Sequence, residues 1–313
     1  MWLLKSGKLD FSLIRKSYDQ GYFWLICIFL FIIQGIIASY RWNLILSVKS
    51  SNKINLVDVL KVSWIGMFFN TMLPGAVTGD LIKLLYAKDL DQSLDRSFLV
   101  TSVLIDRILG LIGLLTILGI SCLFYYSEIT LISNELKHLT HFNLLLFVGG
   151  IFFLILMILP HKIQVSCIKI INLIPFVGEK ISNIIKSFWL LGSNRITLFK
   201  TFFLSVAVQS LNIFAFWIIT HPFYANELSF TYLFTFIPTG LIAVAIPISP
   251  SGIGVGHLVF DKLFNYINIS NGASLFNLYF ICAFFVNFLG VIPYLITGKK
   301  HHLNETEQFE TLT

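Results

Sequence analysis

Two runs in this sequence, "YFWLICIFLFIIQGIIASY" at 22–40 and "NLLLFVGGIFFLILMIL" at 143–159, are long, apolar and free of charge. About 20 such residues cross the roughly 30 Å of bilayer hydrocarbon when wound as a helix. A membrane β-barrel would alternate apolar and polar residues instead, and neither run does. Composition agrees. Hydrophobic residues make up 56% of the 313 and charged residues 12%, against roughly 45–50% and about 25% in soluble domains. The expected fold class is all-α, a polytopic transmembrane helix bundle formed by one integral membrane domain over 1–313. Lys5, Lys8, Arg15 and Lys16 precede the first run, which is too long for a signal-peptide core and lacks a small-residue cleavage site, so it reads as a retained span.

The four cysteines, Cys27, Cys122, Cys167 and Cys282, lie scattered in apolar segments without metal-ligand or CxxC spacing, and read as packing residues. The net charge of +6 comes from basic residues in loops beside spans, where the positive-inside rule and anionic lipid headgroups account for it. No nucleic-acid partner and no cofactor are expected.

Apolar periodicity and turn signals place spans at 22–46, 57–73, 97–126, 142–160, 198–221, 230–248 and 273–298, with shorter helical pieces at 80–92 and 257–269. Six basic residues between 161 and 200 face only Glu179, which assigns that interval to the cytoplasm. The N-terminus and the "GKKHH" after the last span are expected there too. Lys49 and Lys53 fit less well, leaving the path through 47–96 open. Trp24, Trp42, Trp64 and Trp217 stand near span ends, as interface anchors do.

The apolar pattern is interrupted at "FFNTMLPGAVTGD", residues 68–80. Inside lipid, a Pro-Gly break is tolerated where protein or water takes over the freed backbone hydrogen bonds. A counterpart follows: "LPGAVTGDLIKLLY" at 73–86 is echoed by "ISPSGIGVGHLVFDKLF" at 248–264. Each is proline, glycines, then a short amphipathic helix. Each leads into a long apolar helix with a polar residue two before Leu-Gly, Arg107 in one and Asn287 in the other. Two repeats, 57–126 and 230–298, are expected, with broken, re-entrant helices meeting near the midplane as in many carriers.

Ionisable groups at membrane depth are costly and face protein or water. Asp80 and Lys83 share one side of a short helix. Asp106 and Arg107 are neighbours about 100° apart on a helix, so each needs another partner. Pairing Asp80 with Arg107 and Asp106 with Lys83 is one solution. The set reads either as a charge network fixing helix packing or as a phosphate-recognising site using Lys83 and Arg107, aided by backbone N–H groups of the two Gly-rich turns, in which Pro74 and Pro250 make the breaks and Gly75, Gly79, Gly252 and Gly254 follow. Asn70, Gln209, Asn212 and Asn287 read as interhelical hydrogen-bonding residues. His257 and Asp261, at i,i+4, form either a local hydrogen bond or a titrating pair; no third ligand for a metal is evident. Should His257 face the polar cavity, lipid affinity would fall as pH rises through its pKa. Catalytic signatures, among them the nucleophile elbow, HExxH and Walker loop, are absent.

"RWNLIL" at 41–46, "FFNTMLPGAVTGD" with Lys83 after it, "SVLIDRILGL" at 102–111 and "PISPSGIGVGH" at 247–257 together resemble the lysylphosphatidylglycerol synthase transmembrane-region family, a flippase-like membrane domain also found as stand-alone proteins. The family usually carries Gly where Thr78 stands, Arg where Lys83 stands, and Gly, Arg and Glu where Ser251, Gly256 and His257 stand. In two-domain members the membrane part moves an aminoacylated lipid made by a soluble catalytic domain, for which this sequence has no counterpart. The resemblance implies a flippase-like protein of a bacterial or archaeal cytoplasmic membrane, binding and translocating an anionic or polyprenyl-type envelope lipid through Asn70, Pro74, Gly75, Gly79, Asp80, Lys83, Asp106, Arg107, Pro250, Gly252, Gly254, His257 and Asn287. Two other readings stand beside it. A non-transporting accessory subunit would have a separate lipid-modifying synthase as partner, besides membrane lipids. A membrane enzyme acting on a lipid phosphate would rely on Asp80, Asp106 and His257.

Overall fold

The computed structural model describes residues 11–18, 21–73, 78–174, 178–224, 228–246 and 252–297. Among them the regular structure is all helix: α1 Phe11–Tyr18, α2 Gly21–Leu46, α3 Leu56–Met72, α4 Thr78–Ala87, α5 Arg96–Phe124, α6 Tyr126–Ile132, α7 Asn134–Met157, α8 His161–Ile171, α9 Gly178–Ser193, α10 Arg195–Tyr224, α11 Phe230–Ala245, α12 Val255–Asn265, α13 Gly272–Phe288 and α14 Val291–Thr297. Five stretches are long and apolar enough to cross a membrane: α2, α5, α7, α10 and the run from α13 through α14. The protein is a multi-pass helical membrane protein.

Polar caps set the helix starts at the bundle ends. Asn55 accepts from the Val57 N–H, Asp95 from Phe98 and Ser133 from Leu136, meeting amides that have no partner inside their own helix. The last expected span divides, with α13 ending at Phe288 and α14 starting at Val291. Gly290 sits at that division, where an added Cβ would come 2.0 Å from the Trp64 carbonyl oxygen.

α2 and α10 run antiparallel at the centre. The Phe23 ring lies 5.9 Å from His221, the Cys27 thiol meets the Ala215 carbonyl, and Arg41 reaches Ser205. Around this pair stand two helical hairpins. In the first, α3 descends and α4 returns. Ile54 and Asp58 at the start of α3 lie beside Tyr86 and Asp89 at the end of α4, and Asn70 near the end of α3 meets Gly79 at the start of α4. The loops before and after this hairpin are joined at one face, where the Asp91 carboxylate accepts from the Ser93 N–H and hydroxyl, the Ser50 hydroxyl and the Asn52 N–H, and Lys49 pairs with Asp95. The Ser93 bonds above all, then Ser50, hold Asp91 well below the usual carboxylate range.

The second hairpin, α11 and α12, belongs to the other end of α5. Thr231 at the start of α11 donates to Glu128 of α6, and Tyr266 just past α12 donates to Glu135 at the start of α7. That bond to the Glu135 carboxylate pushes the Tyr266 hydroxyl up to about 12. α5, 29 residues long and hence about 43 Å, separates the two attachment sites. The hairpins therefore enter the bundle from opposite faces. This resolves the path of the described residues within 47–96: α3 and α4 are the arms of a re-entrant hairpin that returns to the face bearing Lys49 and Lys53, and the expected spans at 57–73 and 230–248 are hairpin arms.

Helix packing is paired as well. α3 packs on α4 and α13, as α11 does on α12 and α5; α2 packs on α3, α5 and α13, as α10 does on α11, α13 and α5; α4 meets α5 as α12 meets α13. Exchanging α2 with α10, α3 with α11, α4 with α12 and α5 with α13 maps each of these contacts onto another.

Two glycines allow the first hairpin to close. A Cβ on Gly79 would stand 2.1 Å from the Gly66 carbonyl oxygen and 2.4 Å from the Asn70 nitrogen, so α4 touches the α3 backbone directly. Gly79→Ala forces these helices apart and should cost about 1–3 kcal/mol, seen as a lowered melting temperature in detergent; an unchanged melting temperature would show that the contact is looser than described.

Candidate functional site

The adjacent charges on α5 point in different directions, and each finds a partner on a different helix. Arg107 donates through Nε to Asp80 Oδ2 at 2.5 Å, and its Nη2 lies 2.5 Å from the same oxygen. Asn70 donates to the other carboxylate oxygen, Oδ1, at 3.2 Å, while its own side-chain oxygen accepts from the Gly79 N–H at 2.9 Å. Asp80 therefore anchors the first turn of α4 to both α5 and α3, and Asn70 meets an amide at the α4 start, where backbone donors lack intrahelical partners.

Asp106 turns the other way. Its Oδ1 accepts from Arg41 Nε at 2.8 Å, and Arg41 Nη1 donates to Ser205 of α10 at 2.9 Å. The guanidinium lies over Gly110, where an added Cβ would come within 3.4 Å of Nη1. Of the two cross pairings the sequence suggests, Asp80 with Arg107 forms. Asp106 pairs with Arg41 rather than Lys83, because Arg41 crosses from α2 over the glycine gap on α5. Lys83 instead places its ammonium 3.6 Å from the centroid of the Trp42 ring, and Trp42 donates to Ser102. Trp42 is fully buried, in contrast to the interface position expected from its place near a span end.

Arg107 also borders a cavity of about 390 Å³ between the hairpin ends. Asn70 and Thr71 reach it from the first hairpin, Val244, Ala245 and Gly252 from the second, and Asn212 and Asn287 from α10 and α13. Asn287 donates to Thr71 at 3.0 Å, joining α13 to the first hairpin. Asn212 donates to Gln209, which donates to the Gly110 carbonyl, and Tyr279 donates to Asn212. Gln34 adds another amide, and the rest of the wall is aromatic and aliphatic, including Phe31, Phe276, Phe280 and Phe284. A mainly apolar hollow with one guanidinium and several amides suits a polar group attached to a greasy body.

The predicted residues thus fall into three groups. Asn70, Arg107, Gly252 and Asn287 line the cavity; Gly79, Asp80, Lys83 and Asp106 form the network behind it. Gly254 and His257 lie apart. Gly254, at φ +88°, donates its N–H to His257 Nδ1 at 3.3 Å, and the ring stands edge-on to Phe276 with centroids 5.0 Å apart. His257 caps its own helix and is not part of the cavity wall, in contrast to the expectation that its position after the second break would turn it toward the cavity. Pro74, Gly75 and Pro250 lie outside the described residues. Arg41 and Ser205 are site residues the sequence did not single out. The available signal was a buried-depth arginine in "RWNLIL" needing a carboxylate. A second cavity of about 680 Å³ lies between α7, α11 and α12, with mainly apolar walls and with Glu135, His138, Lys262 and Tyr266 at one end.

The side chains of Arg41 and Asp106 are 6% and 15% exposed, so removing one partner strands a charge. Arg41→Ala should lower stability by about 3 kcal/mol or more, and adding Asp106→Ala should restore part of that loss. Fully additive losses in thermal unfolding would show that the pair contributes no coupling.

Comparison with known proteins places the chain. No solved structure matches it. A membrane protein of the UPF0104 group, PH1989 from Pyrococcus horikoshii, is similar at 23% identity across 80% of this chain and 79% of its own length. The model of the family described as the lysylphosphatidylglycerol synthase TM region matches residues 1–290. With that match spanning the hairpins, the charge network and the cavity, the chain belongs to the lysylphosphatidylglycerol synthase TM region family.

Proposed function

We propose that the protein is a carrier for phosphate-bearing lipids of the cytoplasmic membrane, passing the headgroup through the cavity between the hairpin ends while the acyl or polyprenyl chains stay in lipid. The observation that carries this reading is Arg107. Its side chain remains 43% exposed while bound to Asp80, and it borders a cavity otherwise made of amides, the hydroxyls of Thr71 and Tyr279, and apolar groups. A planar, permanently charged donor is suited to a phosphate diester, and the amides of Asn70, Asn212 and Asn287 offer further hydrogen bonds.

The hairpins support the same reading. Two re-entrant hairpins from opposite faces, sharing one cavity and exchanging contacts pairwise, suit a repeat-built carrier in which each hairpin gates access from its own face. We take 57–126 and 230–298 as those repeats. The family description ties the membrane region to a phospholipid synthase, consistent with lipid as the cargo. For an enzyme, the candidate bases are already engaged, Asp80 and Asp106 by arginines and His257 by a backbone N–H, which favours a carrier over a hydrolase.

Charge gives the orientation. The face holding Lys49, Lys53 and the amphipathic α8 and α9 with Lys162, Lys169, Lys180 and Lys186 is the cytoplasmic one by the positive-inside rule. Thr297 borders the start of α3 on that face. Gly21 begins α2 at the opposite end, near His221, so the entry to the first span is assigned to the outer face, against the expectation of a common cytoplasmic side for both chain ends.

Replacing Arg107 tests the function. With equal incorporation and melting temperature, Arg107→Ala should slow exchange of a fluorescent phosphatidylglycerol across proteoliposome membranes by about ten- to a hundredfold, the worth of a charge-assisted hydrogen bond. Arg107→Lys should lie between. Wild-type rates for Arg107→Ala would overturn the carrier reading of this site.

A further inference from the structure

Five charged side chains meet between α2, α4 and α5, and they do not cancel. Arg41 pairs with Asp106 and Arg107 with Asp80, leaving Lys83. That residue is 9% exposed. Its ammonium faces the Trp42 ring at 3.6 Å, and neither carboxylate of the network comes within ion-pair distance of it. The charges acting on it are Asp106 and Arg107 from α5, Asp80 from its own helix and Arg41 from α2. From α3 it meets Gly66, where an added Cβ would stand 3.0 Å from the Lys83 Cβ. The charged residues of α3, Asp58 and Lys61, pair with each other at the aqueous end. Tyr86 of α4 and Tyr294 of α14 belong to the same packed cluster.

A protonated Lys83 therefore gives this cluster, among the described residues, three cations against two carboxylates, one positive charge in excess in a low-dielectric site. Such a charge is strongly disfavoured unless compensated. Compensation comes in two ways: the proton leaves, or an anion arrives. The network reaches the cavity through Arg107, so an anion bound there lies next to the ion pair that Lys83 adjoins.

We propose that Lys83 is a proton-carrying site coupled to anion binding in the cavity: a neutral amine when the cavity is empty, and an ammonium when a phosphate-headed lipid binds against Arg107. The proposal rests on the carrier reading above. Its balance is simple. Empty, two cations face two carboxylates. Loaded, the lone pair of the amine takes one proton from water, and three cations face two carboxylates and one phosphate monoanion. Both states are neutral. The Trp42 ring face accepts either form, as a cation–π partner for the ammonium or an N–H···π partner for the amine. The cargo then moves as a lipid anion with a proton, so a pH difference drives it and a membrane potential does not.

The test uses purified full-length protein in a weakly buffered detergent solution with a pH-indicator dye, titrated with short-chain phosphatidylglycerol, whose phosphodiester keeps a single charge. Near about pH 8, well above any phosphodiester titration and below the ordinary lysine value, wild type should take up close to one proton per lipid bound. Its affinity should fall by up to about tenfold per pH unit through the alkaline range. Lys83→Arg, which keeps the charge but cannot shed it, should bind without proton uptake and with no such slope. Lys83→Met should also take up no proton. Wild-type binding without proton uptake would overturn the coupling and leave the carrier function standing. Equal uptake by Lys83→Arg would overturn the assignment to Lys83. Absence of any Arg107-dependent binding at any pH would overturn the carrier reading and the coupling with it.

Discussion

An arginine at membrane depth must be matched by an acceptor, and the bond between Arg107 and Asp80 is the one on which the rest of this structure depends. Asp80 can meet α5 only because α4 starts inside the bundle, which in turn requires a break in the helix before it. The break brings backbone amides into the interior, and Asn70 takes one of them while bonding to Asp80. The close approach needs Gly79, where no side chain fits between the two backbones, and is eased by Gly66, where an added Cβ would press on Lys83 Cβ at 3.0 Å. Asp106, the neighbour of Arg107, fastens the same stretch of α5 to α2 and, through Arg41, to α10. Two adjacent residues thus tie a hairpin and the central helix pair to one span.

Much of this was legible from the sequence. The long spans follow from runs such as 22–40 and 143–159, because nothing but a helix satisfies that much backbone in lipid. The breaks at 68–80 and 247–257 announced themselves as Pro-Gly interruptions. The direction of travel after each break was not legible, since a short apolar helix crosses or returns according to what it packs against. Asp91 collecting the loops on either side of the first hairpin settles that locally.

Side-chain direction was harder still. Trp42 near a span end fits an interface anchor by sequence alone. Its burial under Lys83 and its bond to Ser102 depend on where α4 and α5 fall. His257 follows its glycines as Asp80 follows its own, but a positive-φ glycine at 254 turns its N–H back onto the imidazole, so the side chain serves its own helix. Similar position in an echo does not give similar orientation. Arg41 gives little signal in the sequence, because it ends a long apolar run and its partner lies 65 residues away.

Two hairpins enter from opposite faces and end at one cavity, with the paired charges of Arg41, Asp106, Arg107 and Asp80 behind one of them. The most direct measurement is the sidedness of their connecting loops. With Cys167 replaced by Ser and Cys27, Cys122 and Cys282 left buried, one exposed cysteine is introduced by Lys53→Cys before the first hairpin or by Ser270→Cys after the second, both at exposed positions. Each variant is treated with a membrane-impermeant thiol reagent in intact cells and in inverted vesicles. Ser270→Cys should react in cells and Lys53→Cys only in inverted vesicles. Reaction of both from the same side would contradict entry of the hairpins from opposite faces.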